Sequence, residues 1–258
     1  MLYTVSLAMI RSMSTPTSSK GIAAVVGVGP NLGRSVARKF AQEGYTVAIL
    51  ARDLEKLSKY ADEIAREAKA QVFAIRIDCS DSKSLREAFE GVLSLGFVEV
   101  LVYNACHPVE SSPPTRFADV TVESFEKAMA VSAVGAFHCA QQVIPLMVER
   151  GKGTIIFTGS SASITGFAGY YELSCGKFAL RGLSQCLARE FQASGIHIAH
   201  VVLDGAISAS SERSSTVDQS MDGSMNPDAL AQAYWQIHVQ EKGAWSQEID
   251  LRAFNHRF

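Results

Sequence analysis

Seven apolar, β-branched runs alternate with helix-like segments along nearly the whole chain, and that alternation restricts the fold more than any other feature. The runs are Ile22–Val28, Tyr45–Leu50, Gln71–Ile77, Phe97–Tyr103, Gly153–Thr158, Ile196–Leu203 and, less strongly, Gln247–Leu251. Continuous apolar character reads as strands buried on both faces. Between them the spacing predicts helices over Leu32–Glu43, Asp53–Ala70, Ser82–Leu93, Thr121–Arg150, Leu173–Ala193 and Pro227–Gln240. In the first, Val36, Ala37, Phe40 and Ala41 form one apolar stripe, and Gly44 follows where a helix-terminating glycine belongs. Strand–helix–strand units with right-handed crossovers give a parallel sheet covered by helices on both faces. The expected fold is therefore single-domain α/β, doubly wound, with a mostly parallel seven-stranded sheet. With 258 residues, 47% of them hydrophobic, one such domain buries enough surface to need neither disulfides nor metals.

Charge narrows the partners. The 24 basic and 26 acidic side chains are dispersed and leave a net charge of -2, so nothing marks a nucleic-acid or anionic membrane surface. No apolar stretch reads as a membrane span. Cys79, Cys106, Cys139, Cys175 and Cys186 show no zinc-ligand spacing and read as reduced, mostly buried thiols. Residues 1–20 read as a flexible leader ahead of a domain over 21–258; a cytoplasmic location is expected, with a mitochondrial presequence as the alternative. Ser208–Met225, with seven serines in eighteen residues, breaks the rhythm after a strand end. A substrate-covering flap is expected there, a plain solvated loop being the other reading.

The first strand runs into Gly27-Val28-Gly29-Pro30-Asn31-Leu32-Gly33 and then a helix. Glycines there permit a tight turn and close approach of the backbone to a pyrophosphate, whose charge is met by free N–H groups at the helix start. The strict G-x-G-x-x-G pattern fails by one residue. The turn instead resembles the T-G-x-x-x-G-x-G signature of the short-chain dehydrogenase/reductase family, with Gly27 and Gly33 as outer glycines and Asn31 as the middle one, a residue that tolerates left-handed backbone.

The resemblance extends over essentially all of the chain after Gly21 and implies a Rossmann fold binding a nicotinamide dinucleotide. At the end of the second strand the slot resembling the family's NAD-selecting Asp is Ala51, with Arg52 beside it and Asp53 as a helix N-cap, which favours NADP(H) over NAD(H). Asp78-Cys79 resembles the pair beside the adenine, Tyr103-Asn104-Ala105-Cys106 the N-N-A-G turn, and Asp204-Gly205-Ala206-Ile207 the Pro-Gly turn near the carboxamide. Gly27, Gly29, Asn31, Leu32, Gly33, Arg52, Asp78, Cys79, Asn104, Ala105, Lys177 and Ile207 are the implied cofactor residues.

The family's catalytic residues are a Tyr, a Lys four residues later, a Ser thirteen before the Tyr and an upstream Asn. A phenol of pKa about 10 works at neutral pH only beside an ammonium, and i, i+4 spacing puts both on one helix face. Lys177 matches the Lys and Ser160 the Ser; counting from either reaches Leu173, so the Tyr is absent. The Asn slot falls at Ser132. Tyr170 and Tyr171 are poorly placed to substitute, and Glu172 points about 100° away from the slot if the helix includes it. His107, with an ordinary pKa of about 6.5, is the candidate stand-in, a bland rim position being its alternative. Lys177 without Tyr implies retained ribose contact, an ordinary exposed lysine being the other reading. The combination resembles an atypical subgroup of the family. A small carbonyl or alcohol substrate and a homodimer or homotetramer are implied, as is the alternative of an inactive nucleotide-binding sensor or partner subunit.

Overall fold

The computed structural model describes residues 20–108, 114–208 and 224–255. The predicted leader, apart from Lys20, and the predicted flap, apart from its two ends, lie outside the described residues. Seven parallel strands form one sheet in the order β3-β2-β1-β4-β5-β6-β7. They are β1 Ile22–Val26, β2 Thr46–Ala51, β3 Val72–Arg76, β4 Val98–Tyr103, β5 Gly153–Thr158, β6 Ile196–Asp204 and β7 Glu248–Arg252. The helices are α1 Leu32–Gln42, α2 Leu54–Ala68, α3 Ser82–Ser94, α4 Val122–Met129, α5 Gly135–Arg150, α6 Tyr171–Phe191 and α7 Pro227–His238.

Strands β1, β4, β5 and β6 are buried nearly throughout, as continuous apolar runs require. One core layer joins α3, α5 and α6 to one face of the sheet through residues such as Leu101, Phe89, Val143, Leu180 and Phe157. The other joins α1, α2 and α7 to the opposite face through Val25, Ile49, Phe40, Ile64 and Tyr234. Consecutive connections run one way from β1 to β3 and the other way from β4 to β7. The switch point between β1 and β4 leaves a crevice at the strands' C-terminal ends, where open α/β sheets bind ligands.

Local signals act as expected at several ends. Gly44, at φ 87°, follows the last turn of α1, with its own N–H bonded to the Ala41 carbonyl and that of Tyr45 to Phe40. Asp53 caps α2 by accepting from the Lys56 N–H at 3.1 Å.

Four expectations need correction. The first strand stops at Val26, because Gly27 takes a positive φ of 86° and turns the chain. The helix over Thr121–Arg150 is interrupted by a π-helical stretch, Ala130–Val134. That same run is also long and apolar enough to meet a membrane-span criterion, yet its α5 portion packs as a core helix through Ala136, Cys139, Val143 and Met147. Only Cys79 and Cys139 of the five free thiols are buried; Cys106, Cys175 and Cys186 are exposed.

Candidate active site

The turn after β1 is built by close approach. A Cβ on Gly27 would stand 2.4 Å from the Ala105 nitrogen, so only glycine lets this turn lie against the turn after β4. Asn104 locks the two together, its amide donating to the Gly27 carbonyl at 2.8 Å and its backbone N–H to the Val26 carbonyl at 2.8 Å. Gly29 differs in kind. A Cβ there would meet no protein atom within 4 Å and would project into open space.

That space is a cavity of about 320 Å³ lined by Gly27, Val28, Gly29, Arg52, Asp78, Cys79, Asn104 and Ala105, among others. Helix α1 starts beside it with no acidic residue in its first turn and no side chain capping its N–H groups. Uncapped N–H donors beside a glycine cradle fit an anionic phosphate group. At the far wall, Asp78 accepts from the Ser80 N–H at 2.9 Å and hydroxyl at 2.7 Å. Those bonds hold its carboxyl below the usual carboxylate range, so it is ionised. Burial pushes the Cys79 thiol up to about 11, which leaves it neutral and suited to packing rather than attack. Thus the glycines and the uncapped α1 N-terminus fit the phosphate groups of a dinucleotide, with the ionised Asp78 and neutral Cys79 in the lining of the same cavity.

Asn31 departs from expectation. Its φ of -100° is not left-handed, and its amide donates to the Ile207 carbonyl at 3.0 Å. Gly33 carries the closer packing, since a Cβ there would meet Val28 Cα at 2.8 Å. Leu32 is buried beneath the turn. Ile207 pairs with Met225 in an isolated parallel bridge, so the two ends of the predicted flap are held side by side.

A second cavity of about 460 Å³ opens beside the first and shares Arg52, Cys106, His107, Pro108 and Lys127 with it. Ser132 and Leu173 both line it. Ser132 lies in the π-helical stretch, and the Tyr103 hydroxyl donates to the carbonyl of its neighbour Val131. Tyr103 was legible only as part of a turn; its role as the brace of the π stretch was not. Gly176 on α6 makes room for Ser132, whose Cβ would otherwise lie 2.8 Å from an added Cβ.

Glu172 reaches the cavity from the position next to Leu173. Helix α6 includes it, yet it lines the same cavity as Leu173, with the Ser124 hydroxyl donating to its carboxylate. Tyr170 also lines this cavity, and Tyr171 turns to stack edge-on against Phe117 at 5.4 Å. His107 lies on the wall common to both cavities.

Ser160 follows β5, and Lys177 lies on α6. Lys177 is 4% exposed, so it is not an ordinary surface lysine; its Nζ donates to the Thr158 carbonyl at 2.7 Å, and burial lowers its pKa. The Ser160 hydroxyl is buried and caps the short helical turn Ser161–Ser163, accepting from the Ser163 N–H while the Ser163 hydroxyl accepts from the Ser160 N–H. Neither lines the two cavities within the described residues.

The family model for short chain dehydrogenases matches residues 21–219. The chain belongs to the short-chain dehydrogenase family. Similarity to curated members of that family is moderate. A 3-ketodihydrosphingosine reductase from Bos taurus is 30% identical over 182 residues, covering 67% of this chain and 53% of that one. The chain thus spans about half the length of the first relatives it matches. Sorbitol-6-phosphate 2-dehydrogenase of Escherichia coli (strain K12) is 27% identical, covering 88% of each. Among solved members, a short-chain dehydrogenase from Rhodopseudomonas palustris superposes with TM-score 0.78 at 29% identity, over 91% of this chain and 99% of that one. An alcohol dehydrogenase from Thermococcus sibiricus, complexed with 5-hydroxy-NADP, has the same fold at TM-score 0.80 and 23% identity, covering 92% and 99%. Leu173 and Ser132, singled out by their spacing, both face the second cavity.

Proposed function

We propose that this short-chain dehydrogenase is an NADP(H)-dependent oxidoreductase of the subgroup lacking the catalytic Tyr, acting on a small carbonyl or alcohol. The observation that carries this reading is the cavity at the sheet's switch point, where the missing Cβ of Gly29 faces open space and Arg52 forms part of the wall. Asp53, the nearest carboxylate in sequence, is committed to capping α2, which leaves Arg52 as the charge offered to a 2′ substituent. Solved relatives bound to NADP or NADPH support that choice, in the Thermococcus sibiricus alcohol dehydrogenase and an actinorhodin polyketide ketoreductase.

When bound, the nicotinamide supplies or accepts the hydride. The chain's part is to orient and to handle the proton. Ser160 would present its hydroxyl to the substrate oxygen, and Lys177 would keep a buried positive charge beside the site. Leu173 contributes bulk and no proton. His107, on the rim shared by both cavities, and Glu172, beside Leu173 on the second cavity's wall, are the titratable side chains proposed to handle the proton.

A second reading is a nucleotide-binding member that performs no transfer. It is favoured by Leu173, which brings no titratable group to the cleft. In either case we propose a homodimer or homotetramer through α5 and α6, whose outer face holds an apolar depression of Phe137, Ile144, Leu187 and Phe191. Five free thiols suit a reducing, cytoplasmic setting.

Energy transfer from tryptophan to NADPH tests binding, and NADPH consumption against a panel of small ketones and aldehydes tests chemistry. Binding with turnover supports the oxidoreductase. Binding without turnover leaves the second reading, and no binding removes both.

A further inference from the structure

The second cavity is charged unevenly. Its basic residues, Arg52, Lys127 and His107, all line the first cavity as well. Arg52 and Lys127 act toward the nucleotide side: Asp78 is held ionised mainly by its bonds from Ser80, and these two cations add to that by charge. The charged residues that line the second cavity and not the first are Asp119 and Glu172, both acidic. Asp119 is already neutralised, since Arg116 donates to it through bonds of 2.7 and 3.2 Å. Glu172 is not. Among the described residues no lysine, arginine or histidine pairs with it, and the one bond to its carboxylate comes from the Ser124 hydroxyl to Oε1.

A structural part accounts for some of this. Glu172 stands in the first turn of α6, where the free N–H groups favour negative charge, and the Ser124 bond joins α4 to α6. Ser124 is itself fixed by the Thr121 cap, which accepts from its N–H at 3.1 Å. A neutral glutamine would accept the same Ser124 bond, however. A half-buried carboxylate with one oxygen unbonded, on the wall of a cavity of about 460 Å³, is complementary to a cationic donor, which would form a charge-assisted hydrogen bond with it. Because the two cavities share a rim, a molecule held at Glu172 lies beside the space that the dinucleotide fits.

We propose that the substrate is an amino alcohol, or the corresponding amino ketone, whose ammonium group is bound by Glu172. The inference rests on the oxidoreductase reading above. Of the two titratable side chains offered there for the proton, it commits Glu172 to the substrate's charge and leaves the proton to His107. Ser124 is a positioning residue: its hydroxyl occupies Oε1 and leaves Oε2 for the ammonium. Val120 and Leu173, apolar residues of the same lining, suit the carbon chain between the ammonium and the reacting carbon.

The test follows NADPH formation from NADP+ by the whole chain at about pH 8, where an alkylammonium stays charged. 1-Amino-2-propanol, 4-amino-2-butanol and 5-amino-2-pentanol are each compared with the alcohol that carries methyl in place of ammonium, namely 2-butanol, 2-pentanol and 2-hexanol. 3-Hydroxybutanoate serves as the anionic counterpart. At least one amino alcohol should exceed its methyl counterpart in kcat/KM by about 10- to 100-fold, the range of a charged hydrogen bond, with the difference in KM. In Glu172→Gln, which keeps an acceptor for Ser124, that ratio should fall to about one. A purely structural Glu172 would slow both alcohols of a pair alike and leave the ratio where it was.

Calorimetric titration of the same pairs into the wild type saturated with NADP+ gives a readout free of turnover and of any variant. The amino alcohol should bind about 10- to 100-fold more tightly than its methyl counterpart. Equal kcat/KM and equal binding within every pair overturn the inference and leave the oxidoreductase standing. So does a preference that survives in a folded Glu172→Gln, or faster turnover of 3-hydroxybutanoate than of any amino alcohol. Absence of turnover with these alcohols and with the ketone and aldehyde panel, in a chain that binds NADP+, removes the oxidoreductase reading and this inference together.

Discussion

The Asn31 amide donates a hydrogen bond to the Ile207 carbonyl at 3.0 Å, tying the phosphate-side turn after β1 to the chain leaving β6. These residues lie 176 positions apart in sequence. One side chain thus joins the segments that follow two strands of the same sheet. Asn31→Ala should therefore cost about 1 kcal/mol, the usual worth of a hydrogen bond, and lower Tm by roughly 2–4 °C for a domain of this size. Differential scanning calorimetry reads this directly, and an unchanged Tm would show that the tie contributes nothing.

Arg52 stands in the wall of the nucleotide cavity while Asp53 caps α2. Replacing Arg52 by alanine should weaken NADPH binding about 10- to 100-fold, the loss of a charged hydrogen bond worth about 1.5–3 kcal/mol. NADH affinity should stay nearly constant. Equal weakening of both would place the arginine elsewhere than at the 2′ position.

Leu173 lines the second cavity. Leu173→Tyr, which restores a phenol four residues before Lys177, should raise NADPH-dependent ketone reduction by about tenfold or more, within the range a positioned acid contributes. An unchanged rate would show that the cleft no longer presents substrate to this position.

How much of this was legible in the sequence divides along physical lines. The strands and most helices announced themselves because burial on two faces demands continuous apolar runs, and because Asp53 and Gly44 are cap residues with a local mechanism. Leu173 was singled out by its spacing from Ser160 and Lys177, and the structure places it on the wall of the second cavity. Long-range side-chain bonds were not. Nothing in Asn31 points to Ile207, and nothing around Ser132 points to the bond that Tyr103, on a distant strand, makes to the π stretch. Glu172 looked misdirected on an isolated helix, but α4 brings Ser124 to it and the cavity wraps around both. His200 read as one more strand residue until Glu248 and Gly159 were placed beside it.

Gly159 and His200 should be energetically coupled. Gly159→Ala forces a Cβ against an imidazole held by Glu248 and should destabilise by about 1–3 kcal/mol. Adding His200→Ala removes the obstacle, so the double variant should be more stable than the sum of the single losses predicts, by at least about 0.5 kcal/mol in a denaturant-unfolding cycle. Simple additivity would contradict the packing.

Stability should fall in mild acid. His238 is bonded through Nε2 to the Tyr45 hydroxyl at 2.7 Å and through Nδ1 to the Thr154 hydroxyl at 2.9 Å, and burial lowers its pKa to about 4. The unfolded chain takes up this proton near pH 6.5 and the folded chain resists until about pH 4. The contribution is present above the unfolded value and is lost between these limits as pH falls. His197 and His200, also lowered by burial, act in the same direction. His238→Gln should flatten the dependence of Tm on pH across this window; an equally steep curve would contradict the assignment.

Calorimetric titration of NADPH and, separately, NADH into the purified chain bears most directly on the account. It should give saturable heat for NADPH and a weaker isotherm for NADH. Heat from neither dinucleotide would contradict the assignment of the crevice between β1 and β4 as a cofactor site.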